Sequence, residues 1–130
     1  MKDIVNYITQ NTKDQKWVDS YETDELGLRL YTTFMDDIND DIALDIIKID
    51  DEWVITDSGY TNFEFQCHGL SDLYFKDAFK RLKFSNDLEI RDDELVVSLK
   101  DVPKTEIIPS ILRLIQIMLN MFGIVSINYC

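Results

Sequence analysis

From Leu26 onward the chain alternates with a period of two: Leu26, Leu28, Leu30 and Phe34 point one way, Gly27, Arg29, Tyr31 and Thr33 the other. Such alternation predicts a half-buried strand. Two apolar, β-branched runs follow, residues 42–49 and 53–57, joined at hairpin spacing by the polar Asp50-Asp51-Glu52. Three strands with short polar turns make an antiparallel meander. Asp57-Ser58-Gly59 closes it as a turn, because Asp bonds its own backbone two residues on and Gly tolerates positive φ. Residues 88–90 and 94–99, either side of Arg91-Asp92-Asp93, predict a second, smaller hairpin.

Helical spacing governs three other segments. Ile4, Val5 and Ile8 make residues 2–13 a short amphipathic helix. Ser71 is placed as an N-cap with Asp72 in the first turn, opening a helix to about Phe84 whose inner face is Phe75, Ala78, Phe79 and Leu82. A long helix over about 105–122 is expected to end at Gly123. Its polar residues Ser110, Arg113, Gln116 and Asn120 share about a third of the circumference and the rest is apolar. It is either the central core helix or half buried in a partner, which makes 105–122 a candidate homodimer contact. Residues 17–21 and 61–66 show no clear period. The expected fold is α+β: an antiparallel meander plus a small second hairpin, covered by two or three helices including the long apolar C-terminal one.

Composition agrees with one domain spanning residues 1–130. Apolar residues make up 45% and charged residues 29%, with four Gly and two Pro, which excludes disordered, collagen-like and linker-rich chains. At this length a core needs no disulfide or metal. Cys67 and Cys130 have no metal-ligand spacing and read as free thiols in a reducing compartment. Met1-Lys2-Asp3-Ile4 lacks the charge and apolar run of a secretory signal. The apolar stretch 107–127 is broken by Pro109, Arg113, Gln116, Asn120 and Gly123. A cytoplasmic protein without a membrane partner is expected.

Charge sharpens the picture. Twenty-five acidic residues oppose thirteen basic ones, a net charge of −12. Phosphate backbones and anionic lipids reward clustered Lys and Arg, so direct binding of nucleic acid is not expected. Between Asp19 and Asp57 stand thirteen acids against Arg29 and Lys48 alone, which leaves the remainder of the chain nearly neutral. This segment is a solvated sheet face, an electronegative patch that docks on a basic groove, or a carboxylate site for a cation.

The cation reading is the weakest of the three. Asp37, Asn39 and Asp41 match the first positions of a calcium loop, but Ile42 and Lys48 stand where the loop demands Gly and Glu. A metal-dependent nuclease would use strand-end aspartates such as Asp40, Asp41 or Asp57. With Asp50 and Asp51 as the turn, Asp45 faces Thr56 and Asp57 faces Leu44, so these two acids diverge. Cys67 and His68 are adjacent and diverge on an extended chain, which disfavours a nucleophile and base. No serine-hydrolase elbow, phosphate loop, dinucleotide motif or zinc-protease motif occurs. Lys76, Lys80, Arg81 and Lys83 read as the wet face of their helix. No cofactor and no metal are expected, and the sequence points away from an enzyme.

Thr32–Met35, continuing Asp36-Asp37-Ile38-Asn39-Asp40-Asp41-Ile42, and Trp53–Thr61 resemble the domain of unknown function 1828 family. The resemblance rests on Asn39-Asp40 before an apolar strand and on the Thr56-Asp57-x-Gly59 turn. It implies small proteins of low-GC bacteria, their phages and mobile elements, and carries no agreed activity or functional residue. Together, charge and resemblance lead to one expectation. The protein is a non-catalytic acidic inhibitor, of anti-restriction or anti-CRISPR type, that occupies the basic surface of a nucleic-acid-binding protein. Asp36, Asp37, Asp40, Asp41, Asp50, Asp51 and Glu52 are its binding residues, with Tyr31 and Trp53 as anchors. The alternatives are a self-assembling structural or regulatory protein and a metal-dependent nuclease.

Overall fold

The alternating segments pair into a single antiparallel sheet, ordered β1-β2-β3-β4-β6-β5. The fold is that of a computed structural model describing residues 2–35 and 41–127. The strands are β1 (Val18–Thr23), β2 (Gly27–Met35), β3 (Asp41–Ile49), β4 (Glu52–Thr56), β5 (Leu88–Arg91) and β6 (Glu94–Ser98). The helices are α1 (Lys2–Thr12), α2 (Tyr60–Cys67), α3 (Asp72–Leu82) and α4 (Ile107–Ile127), the last preceded by a 3-10 turn at Lys104–Glu106. The expected α+β class holds. The second hairpin is not a separate unit: β6 pairs with β4, Ile55 opposite Val97, and extends the meander to six strands.

Two tight turns explain the hairpins. Asp50 and Asp51 have φ of 50° and 64°, and Asp92 and Asp93 have 50° and 66°. Consecutive left-handed residues match the twist of the flanking strands, and Asp tolerates that region better than most side chains. Gly27 opens β2 where a Cβ would lie 2.1 Å from the Ile46 carbonyl oxygen, so only glycine lets β3 approach there.

One face of the sheet carries Leu28, Leu30, Ile42, Leu44, Ile46, Ile55, Leu95 and Val97, all in the buried core. Ile8 of α1, Phe65 of α2, Phe75 and Phe79 of α3, and Leu114, Ile117, Met118 and Met121 of α4 complete it. Each large apolar side chain so buried contributes about 1.5–3 kcal/mol. The opposite face carries Arg29, Tyr31, Ala43, Asp45, Val54, Thr56, Val96 and Ser98, by register. Val54 and Val96 are buried there yet stand outside the core cluster.

Four expectations are corrected. Leu26 is not part of the inward set but 67% exposed, because Asp24 accepts hydrogen bonds from the amides of Leu26 and Gly27 and makes that segment the β1–β2 turn. α3 begins at the Ser71 cap as expected, its hydroxyl accepting from the Tyr74 amide, but ends at Leu82 and leaves Phe84 exposed. Gly123 does not end α4, which runs on to Ile127 because Val125 still finds a fully buried place in the core. Within α4, Ser110 is buried instead of wet, donating to the Glu106 carbonyl and accepting from Arg113. The segment 61–66, which shows no period, belongs to α2, and residues 18–23 form the edge strand β1.

Candidate functional site

The antiparallel order sorts the acidic residues by strand end. The β1–β2 and β3–β4 turns leave the sheet at one end, and β6 finishes there, with the Leu99 amide donating to the Trp53 carbonyl at 2.8 Å. Asp24, Glu25, Asp50, Asp51 and Asp101 are exposed at this turn end beside Lys48 and Lys100. Asp41 starts β3 at the far end of the same strand, roughly 30 Å from Asp50 at strand rise. Glu52 is engaged internally: it accepts from Ser98 and pairs with Arg91 at 3.1 Å. The Ser98 hydroxyl and the Arg91 guanidinium hold its carboxyl below the ordinary range. Asp51 has only a long contact to Lys48, 3.8 Å. Asp36, Asp37 and Asp40 lie outside the described residues, as does Cys130.

The two expected anchors fall on opposite faces. Trp53 is half-buried on the core side of β4, beside a hollow of about 670 Å³ shared with Val5 of α1 and with Asp24 and Glu25. It therefore joins Asp50 and Asp51 at the turn end. Tyr31 stands on the opposite face, where its hydroxyl donates to Glu22 and the phenol is held above its ordinary range by that bond. The acidic segment 19–57 is thus divided between two surfaces.

A second hollow, about 630 Å³, lies on the sheet face opposite the core, against the start of α2. Arg29 spans to Asp45 with two hydrogen bonds, Nε to Oδ1 at 3.0 Å and Nη2 to Oδ2 at 2.9 Å. Ser58 donates to the same carboxylate. Asp41, Ala43, Tyr31, Tyr60 and Phe63 complete the lining. Asp45 stands opposite Thr56, as the hairpin predicts. Asp57 also borders the hollow, but its carboxylate is sealed by backbone. Oδ1 accepts from the amides of Gly59 and Leu95, each at 2.9 Å, and Oδ2 from the amide of Thr61 at 3.1 Å. Burial pushes the Asp57 carboxyl up, and these donors partly offset it. Asp57 is therefore a clamp that ties the β4–α2 turn to β6, with Ser58 and Gly59 in the left-handed region at φ 56° and 83°.

Sequence reasoning singled out Asp57, Tyr31 and Asp41 but not Ser58, Tyr60 or Phe63, because α2 carries too many buried polar residues (Thr61, Asn62, Glu64) to show an apolar period. Among the described residues no group of three or more His, Cys, Asp or Glu is arranged to hold a metal. Cys67 is an exposed free thiol, and His68 contacts the Glu64 carbonyl through Nδ1. α4 is long and apolar enough to cross a membrane, and half of that stretch is buried within the fold.

These features define a small α+β domain: a helix-backed antiparallel sheet with its second face open and a clamped Asp turn after the fourth strand. The chain belongs to the family described as Domain of unknown function DUF1828, whose model matches residues 32–121, more than half of its length. The match includes both the Asp57 turn and β3 to β6, so the clamp sits inside the family's own segment, whereas Arg29 and Tyr31 of the hollow precede it. No curated protein and no solved structure matches the chain.

Proposed function

We propose that the protein is a non-catalytic binding protein that occupies a basic, nucleic-acid-binding surface of another protein. The observation that carries this reading is the turn end of the sheet. Three chain connections bring Asp24, Glu25, Asp50, Asp51 and Asp101 to one rim, against Lys48 and Lys100, with Trp53 half-buried behind them. Excess carboxylates on rigid turns attract a Lys- and Arg-rich surface from a distance, and a Trp at the centre supplies apolar contact once docked. Arg29 and Asp45 cancel one another, and Asp57 and Glu52 are committed to internal partners, whereas the rim carboxylates stay exposed. The target class we propose is a restriction or CRISPR nuclease, countered by a protein carried on a phage or mobile element.

Affinity purification from cells that carry the protein tests it. A nucleic-acid-binding protein should be recovered, displaced by added duplex nucleic acid and by moderate salt. Recovery should be lost when Asp24, Asp50, Asp51 and Asp101 are all changed to Asn. Retention of the partner by that variant overturns the electrostatic reading.

A further inference from the structure

The hollow on the sheet face opposite the core has an unbalanced charge. Four charged residues line it, and three are accounted for: Arg29 and Asp45 neutralise each other through two hydrogen bonds, and Asp57 is sealed by three amides. Asp41 remains, exposed and without an ion pair among the described residues. Beside it the Phe63 ring is 58% exposed, and Tyr31 rises from the neighbouring strand, paired across the sheet with Ala43. Ala43 is the smallest side chain on this part of the sheet, so the floor lies low between the two rings. A carboxylate with aromatic faces around a recess of about 630 Å³ is the chemistry that holds a guanidinium or ammonium group with its apolar stem. An anion would meet Asp41 unscreened, and the charge of Arg29 is already neutralised by Asp45.

The recess does not stop at Arg29. A second hollow of about 480 Å³ shares Arg29, Tyr31 and Asp45 with the first and continues to Glu22 and Asp24. The two form one trough across β1, β2 and β3, acidic at both ends and neutral in the middle.

We infer that this trough is a seat for an extended basic segment of the partner, with one Arg or Lys side chain lodged between Asp41, Tyr31 and Phe63. The inference rests on the binding reading above and adds a second contact, on the opposite face of the sheet, which meets the turn-end rim at Asp24. Charge complementarity selects the occupant: a second copy of this chain, at −12, would bring acid to acid.

The probe is N-acetyl-arginine amide, titrated into the 15N-labelled full chain and followed by amide chemical shifts, with N-acetyl-citrulline amide as the uncharged isostere. The arginine probe should move the signals of Asp41, Ala43 and Phe63 in a saturable manner, and the citrulline probe should not. A surface ion pair and an exposed cation–π contact are each worth up to about 1 kcal/mol, so Asp41→Asn and Phe63→Ala should each weaken binding by about two- to five-fold. Both positions are exposed, and unchanged shifts elsewhere in each variant report an intact fold. Equal response to both probes, or unaltered affinity in both variants, overturns the inference. Shifts confined to Asp50, Asp51 and Asp101 overturn it while leaving the turn-end reading standing. Absence of any saturable response to arginine overturns the trough, and only loss of effect in the four-residue Asn variant decides the rim.

Discussion

Asp57 shows how one side chain holds three pieces of chain. Its carboxylate is 3% exposed and accepts amides from its own turn, from α2 and from β6. An alanine there leaves three N–H donors without acceptors, those of Thr61 and Leu95 buried and that of Gly59 partly buried, and each buried one costs about 1–3 kcal/mol. Asp57→Ala should therefore lower unfolding free energy by at least about 2 kcal/mol in urea titration. Asp57→Asn keeps one oxygen but turns an NH2 group toward a donor, and should fall between the two. A loss under about 1 kcal/mol for Asp57→Ala would show that the amides find other partners. The sequence announced this residue as a turn-former through its spacing to Gly59. The bond to Leu95, thirty-eight positions away, was not legible, because nothing local in Asp57-Ser58-Gly59 names a partner strand.

At the scale of elements, legibility followed the strength of the period. α3 was readable because Ser71, Asp72 and four apolar residues at helical spacing agree, and the hairpins because Asp pairs sit between alternating runs. α2 was hidden since Thr61, Asn62 and Glu64 occupy buried positions where a periodic reading looks for apolar ones. β1 was hidden since an edge strand needs only Val18 and Tyr21 half-buried. α4 was placed correctly but cut short at Gly123. That glycine is exposed, its backbone is helical, and a Cβ would meet nothing within 4 Å. Gly123→Ala should stabilise the protein by about 0.5–1 kcal/mol, since the helix continues through it. Were it a left-handed cap, the same change would destabilise, so the sign of the shift in denaturation midpoint decides the matter.

For the molecule as a whole, the excess of carboxylates makes stability depend on acid. Burial opposes ionisation of Asp87, but the Ser85 hydroxyl and the Arg113 guanidinium, 2.9 Å away, outweigh it and hold the carboxyl below its ordinary range. A folded-state pKa below the unfolded value, about 3.9, means that the pair's contribution is complete above about pH 4. It is lost as pH falls through the folded value. Glu52 has the same sign through Ser98 and Arg91, whereas Asp57, raised by burial, has the opposite one. Comparing the native chain with Asp87→Asn removes the shared contributions. The difference in unfolding free energy should be constant from pH 7 to about pH 4.5 and shrink below about pH 4. A difference that stays constant to pH 2 would mean that the Arg113 pair adds nothing beyond packing.

The order of elements along the chain has a consequence for synthesis. α4 comes after all six strands and supplies Ile111, Leu114, Ile117, Met118 and Met121 to the layer that covers them. Until it has emerged from the ribosome, the leucines and isoleucines of β2 and β3 lack their principal lid, and the nascent sheet is a surface for chaperones or for aggregation. Chains broken off ahead of Ile107 would therefore be sticky fragments, and the cell's quality control would meet the sheet before α4 covers it.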